Sequence, residues 1–217
     1  RLIARGAEIQ FRQGADCIPD EASLVVYSSA ITEDNPELIE ARRRNLPIVR
    51  RAEVLAELMR LKFGVGVAGS HGKTTTTSLA AAIMEAGSLD PTVVIGGQLQ
   101  HLGTGARLGR GDYLVAETDE SDRSFLLLKL TIAVVTNVDD QHMNAYDSRQ
   151  DLEGAFLEFI NSVPFYGLAV LCADDPVLRS FRSGLSRRSI SYGFCEEADL
   201  RATDVVAGPG GMEFAVL

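Results

Sequence analysis

The chain has little cysteine, a deficit of positive charge and no long apolar run, and each scarcity removes a class of protein. Its three cysteines, Cys17, Cys172 and Cys195, lie far apart and form no C-x-x-C pair. That argues against a disulfide framework or a cysteine zinc site, and it fits thiols kept reduced in a cytoplasmic protein. Lysine and arginine number 21 against 30 aspartates and glutamates, for a net charge of −9. A general nucleic-acid binder would carry a basic face, so no nucleic-acid partner is expected. A small anion needs only a local positive pocket and stays possible. No apolar stretch reaches the ~18 residues of a membrane span. No charged segment leads into an apolar core, so neither a signal peptide nor a membrane partner is expected. Internal repeats and low-complexity tracts are lacking too. The opening "RLIARGAEIQF" has no methionine and reads as the interior of a longer chain.

What is present is an ordinary globular composition, 46% apolar and 24% charged over 217 residues. That length suits one sizeable domain or two small ones. Residues 1–60 alternate short strands ("AEIQF", "SLVVYSSAI", "LPIVRR") with two helices ("NPELIEARRRN", "AEVLAELMRLKF"). A second pattern begins at Phe63. "GVGVAG" is a strand, and "KTTTTSLAAAIMEAG" is a helix with Leu79, Ile83 and Ala86 on one face. "TVVIGG", "DYLVAET", "TIAVVTNV", "GLAVLCA" and "RSISYGF" are further strands, and "DLEGAFLEFINSV" is an amphipathic helix. Near-continuous apolar strands are covered on both faces. The two segments around "AGPGG" close the chain as an antiparallel hairpin. The fold class is α/β, a mostly parallel sheet flanked by helices from residue 61 onward, preceded by part of a Rossmann-like domain at 1–60.

The stretch "VAGSHGKTTTTS" carries a Gly-Lys-Thr but lacks the first glycine of G-x-x-x-x-G-K-[ST], because Val67 stands at that position. The context is nevertheless strand, glycine-rich turn, helix. Helix N-terminal N–H groups attract phosphate, and Gly69 and Gly72 let the backbone pass close to it. Lys73 would reach the terminal phosphates, and the Thr74 hydroxyl would ligate Mg²⁺. In an open α/β sheet the remaining ligands belong at the carboxyl ends of neighbouring strands. Glu117 ends one such strand, with Asp119, Glu120 and Asp122 beyond it. Asn137, Asp139, Asp140 and His142 follow another. The bland alternatives are a glycine turn with a surface lysine, and solvated acidic loops.

"AGSHGKTTTT", "VAETDESD", "TNVDDQHMNAY" and "PFYG", in this order, resemble the Mur ligases, and "SSAI", "NPE" and "RRAEVLAELMR" extend the resemblance across the first sixty residues. In that family the loop reads G-[TS]-x-G-K-T-[TS], so Val67 belongs to the strand. The motifs sit nearest the branch that joins L-alanine to the lactyl carboxylate of UDP-N-acetylmuramate with ATP, through an acyl phosphate, in peptidoglycan synthesis. The resemblance implies that residues 1–60 close a UDP-substrate domain and 61–217 form most of an ATP domain, the amino-acid domain lying beyond. It implies ATP contacts from Gly69, Ser70, His71, Gly72, Lys73, Thr74, Thr75 and Asn137. Mg²⁺ would be held by Thr74 and Glu117 at one site and by His142 at a second, with Lys73, Glu117 and His142 as the catalytic set. Ser28, Ser29 and Ala30 would face the UDP-sugar. His71, Asp119, Glu120, Ser121 and Asp122 would line the approach to the muramoyl carboxylate.

The chain departs from the family pattern in three places. Gln141 stands where an Asp normally precedes the histidine, Asn144 replaces a second Asp, and no lysine follows Lys129 to be carbamylated. A metal-bound histidine needs a partner for its second N–H, and Asp139 or Asp140 is the available substitute. Two rival functions remain at this level: the related ligase that attaches a recycled peptide to the same UDP-sugar, and a nucleotide- or UDP-sugar-binding module without turnover. A P-loop switch protein fits poorly, because "SSAI" and the histidine after a strand have no place in it.

Overall fold

The computed structural model describes residues 2–99, 104–141 and 143–217. It divides into two compact units, Arg1–Leu55 and Ala56–Leu217. The sequence places this boundary at 60/61, inside or just after the helix that the division cuts.

In the first unit, β1 (Val25–Tyr27) and β2 (Ile48–Arg50) pair in parallel. Between them runs α1 (Pro36–Arg43), which buries Leu38 and Ala41. Its start is fixed by Asn35, whose Oδ1 accepts from Glu37 N at 2.9 Å, and by Pro36 in the first turn, where a missing N–H costs nothing. The expected strand "AEIQF" does not form; residues 7–11 are exposed and irregular. α2 (Arg51–Arg60) runs across the boundary and buries Ala56 and Met59.

The second unit is a nine-stranded sheet among the described residues. Its strands are β3 (Phe63–Ala68), β4 (Thr92–Leu99), β5 (Thr104–Arg107), β6 (Tyr113–Glu117), β7 (Ile132–Val135), β8 (Leu168–Cys172), β9 (Ser189–Gly193), β10 (Leu200–Gly208) and β11 (Gly211–Val216). Their spatial order is β11-β10-β9-β8-β7-β3-β6-β4-β5. Strands β10 through β4 in that order pair in parallel, and antiparallel partners, β11 and β5, close the two ends. Helices α3 (Lys73–Ala86), α4 (Arg149–Asn161) and α5 (Pro176–Ser180) make the crossovers. The chain leaves β3 towards β4 on one side, and later leaves β7 towards β8 on the other. Right-handed crossovers therefore put α3 and α4 on opposite faces. The order reverses at β3 and β7, which makes the crevice beyond their carboxyl ends the ligand position of such a sheet.

The core follows the strands. Val67, Val115, Ala116, Ala133, Val135 and Ala169 are fully buried. α4 contributes Leu152, Phe156, Phe159 and Ile160, and Phe125 stacks on Phe159 with ring centroids 5.0 Å apart. The helix α3 corrects the sequence reading. Leu79 and Ile83 do share a face, but it is the outer one, 59% and 72% exposed. The buried face is Thr77 and Ala81, and Ala81 clusters with Val93 and Ile95 of β4. Small residues let the helix approach the sheet closely, and periodicity alone cannot tell such a face from its opposite.

Candidate active site

Strand register assembles the site. β3 pairs Val67 with Glu117 of β6 on one side and Ala68 with Val135 of β7 on the other. The turn Gly69–Gly72 therefore leaves the sheet between the acidic end of β6 and the "TNVDD" segment after β7. Gly69 (φ 132°) and Gly72 (φ 80°) adopt backbone conformations that disfavour other residues. Gly72 is the N-cap of α3, and a Cβ there would meet nothing within 4 Å, so the space above the helix end is open. The first N–H groups of α3 have no intrahelical partner, and the helix dipole adds positive potential there.

The segment after β7 braces the turn. Asn137 Oδ1 accepts from His71 N at 2.8 Å, and Asn137 Nδ2 donates to His71 O at 3.0 Å. Thr136 Oγ1 donates to the same carbonyl at 2.6 Å. Ser70 N donates to Asn137 O at 3.1 Å, and Ser70 Oγ accepts from Asp139 N at 2.8 Å. Asn137, expected among the ATP contacts, thus spends its amide on the loop backbone.

Two polar pairs lie under and beside the turn. Lys73 Nζ donates to Gly69 O at 2.6 Å and to Glu120 Oε1 at 2.8 Å. Thr74 Oγ1 stands 3.0 Å from both oxygens of Glu117, and Gly96 N of β4 donates to Glu117 Oε2 at 2.9 Å. A hydroxyl facing a carboxylate is a hard-oxygen pair suited to Mg²⁺. No group of three His, Cys, Asp or Glu that could hold a metal occurs among the described residues. A two-ligand protein site fits Mg²⁺, which takes its other positions from water and phosphate. Thr75 is exposed on the first turn of α3.

The acidic run divides. Asp119 Oδ1 accepts from Ser121 N and Asp122 Oδ1 from Ser124 N, each at 2.9 Å, so both carboxylates cap local turns. Glu120 faces inward, 1% exposed, instead of lining an approach as expected. Its carbonyl accepts from Tyr146 OH at 2.6 Å, and burial pushes the Tyr146 phenol up to about 12. His71 is exposed, with Nε2 3.5 Å from Asp139 Oδ2, and Asp140 pairs with Arg149. Both carboxylates offered for orienting His142 therefore have other partners, and His142 itself lies outside the described residues. Ser28, Ser29 and Ala30 belong to the first unit, in an exposed turn where Ser28 Oγ accepts from Ala30 N at 3.3 Å. No helix among the described residues is long and apolar enough to cross a membrane. Sequence reasoning missed the bracing role of Thr136, Ser70 and Asp139, the Gly96 amide and Tyr146; only "TN" at a strand end signalled the first of these.

Residues 67–217 match the Mur ligase middle domain, and residues 1–63 match the description "Mur ligase family, catalytic domain". A UDP-N-acetylmuramate--L-alanine ligase of Geobacter sp. (strain M21) is 55% identical over 205 residues, 94% of this chain and 44% of the relative. The crystal structure of UDP-N-acetylmuramate-alanine ligase MurC from Thermotoga maritima superposes with a TM-score of 0.84 at 26% identity, covering 99% of this chain and 48% of that one. A UDP-N-acetylmuramate:L-alanyl-gamma-D-glutamyl-meso-diaminopimelate ligase from Neisseria meningitides superposes with a TM-score of 0.86 at 25% identity, covering 100% of this chain and 71% of that one. The chain spans less than half the length of the curated relatives it matches.

Proposed function

The chain belongs to the Mur ligase family, and from that premise we propose that the whole protein joins L-alanine to the lactyl carboxylate of UDP-N-acetylmuramate with ATP, a step of peptidoglycan precursor synthesis. The observation that carries the site assignment is the Thr74–Glu117 pair at 3.0 Å, set beside an open helix N-terminus. The 55% identity to an alanine-adding relative carries the choice of substrate.

On this reading Gly69 to Thr75 cradle the triphosphate, with the loop backbone held by Asn137. Thr74 and Glu117 would hold one Mg²⁺, and His142 is proposed for a second. Bound there, the ions would supply positive charge between phosphate groups and carboxylate. The chemistry has two displacements. A lactyl carboxylate oxygen attacks the γ-phosphorus, forming an O–P bond as the bond to ADP breaks. The alanine amine then attacks the acyl carbon, the C–N bond forms, a proton leaves nitrogen and inorganic phosphate departs. Lys73 contributes to both, because each passes through a state with more negative charge at the loop. Residues 1–60 would serve the UDP-sugar, with Ser28–Ala30 facing it, and 61–217 the nucleotide.

Lys73→Ala in the whole protein is expected to abolish ATP-dependent product formation while keeping a folded circular dichroism spectrum, with a lowered melting temperature because the buried Glu120 carboxylate loses its partner. Retained turnover would remove Lys73 from the reaction. The resemblance to the Neisseria ligase supports a second reading, addition of a preformed peptide to the same UDP-sugar. Parallel assays with L-alanine and with a tripeptide acceptor separate the two, and the first reading requires L-alanine to be the better substrate.

A further inference from the structure

We propose that Glu120 is a positioning residue for Lys73, acting on the reaction through the lysine and not by touching substrate. The proposal rests on the reading of the loop as a phosphate site. Lysine is a flexible four-carbon stem with three N–H donors, and left alone at a loop it extends into water. Here it is drawn inward, with a side chain only 15% exposed. Gly69 O and Glu120 Oε1 take two of the three donors, at 2.6 and 2.8 Å. Among the described residues the third N–H has no hydrogen-bond partner, and it is the one left for a phosphate oxygen.

The backbone that carries this carboxylate is itself held. Arg123 N and Tyr146 OH both donate to the Glu120 carbonyl, at 3.2 and 2.6 Å. Tyr146 in turn lies under the Arg123 guanidinium, 5.2 Å from ring centroid to Cζ, and Arg123 pairs with Asp151 of α4 at 2.7 Å. A buried pair of this kind contributes little net stability compared with an apolar pair of equal size, but it fixes geometry. Glu120 thus sets where the ammonium sits relative to Gly69 and the helix end, while its neighbours Asp119 and Asp122 serve local turns.

The test is steady-state kinetics on the whole protein with Glu120→Ala and Glu120→Gln. Misplacing a catalytic group by about an ångström lowers rate on the order of 100-fold. Glu120→Ala is therefore expected to lower kcat/KM for ATP by about 100-fold, with the KM for UDP-N-acetylmuramate changed by less than about threefold. Glu120→Gln keeps an oxygen acceptor at the same reach and should recover about tenfold of that loss. The proposal is overturned if ATP kinetics are unchanged in folded Glu120→Ala, if only the UDP-sugar KM rises, or if Gln behaves no better than Ala. Should Glu120→Ala fail to fold, the Gln variant decides by whether its loss falls on the ATP term, and failure of both to fold makes the pair purely structural. If the parent protein neither binds ATP by calorimetry nor turns it over, the nucleotide reading itself falls, and this proposal with it.

Discussion

Gly69 shows how tightly single residues are specified here. Its φ is 132°, and a Cβ would stand 2.1 Å from Thr136 Oγ1 and 3.0 Å from Asn137 O. Gly69→Ala would have to push the brace away as well as strain the backbone. A stability loss of about 1–3 kcal/mol is expected, measurable as a lower urea midpoint with an unchanged slope. Gly72→Ala makes a useful contrast: its φ of 80° carries strain, but its Cβ enters open space. The residues whose positions are legible in the sequence are those local to a motif. Lys73 and Thr74 follow the glycine turn, and Glu117 ends an apolar strand. Glu120 was misread because four adjacent polar residues look alike on paper. Which of them turns inward depends on Lys73, 47 positions away in the chain.

At the scale of elements, strands buried on both faces were read correctly because their apolar runs are unbroken. β5 and α5 were missed for physical reasons. β5 is "TGAR", with no apolar signal, and it exists only because β4 offers an edge. α5 has five residues and needs its cap more than its propensity. That cap is Asp175, whose Oδ1 accepts from Leu178 N at 2.9 Å while Oδ2 accepts from Val138 N at 3.2 Å. One carboxylate thereby ties α5 to the segment that braces the Gly69–Gly72 turn. Asp175→Ala is expected to cost about 1–2 kcal/mol, as lost caps do. It should also speed hydrogen exchange at the Val138 amide, which loses its acceptor. An unchanged exchange rate there would mean that the segment is held by Thr136, Asn137 and Asp139 alone.

At the scale of the whole molecule, charge sets the pH range of stability. The Arg123 hydrogen bond holds the Asp151 carboxyl below its usual value, and Ser191 does the same for Asp199. Groups depressed in the folded state stabilise it above the unfolded carboxylate value of about 4, and that stability is lost as pH falls through the native value. Tyr146 works in the opposite sense. Its phenol, raised to about 12 mainly by burial, favours the folded state below the unfolded value, and the advantage disappears as pH rises from there through 12. Melting temperature should therefore be flat near neutrality, fall below about pH 4 and fall again above about pH 10. A melting temperature that kept rising above pH 10 would contradict the buried phenol. The brace from β7 to the Gly69–Gly72 turn has a consequence of a different kind. Fixing a residue's backbone costs ~1–2 kcal/mol of conformational entropy, and here the loop's share is incurred when the sheet folds. On the proposed reading, a nucleotide meeting this turn would find donors already immobilised, and its binding free energy would not be spent on ordering the chain that receives it.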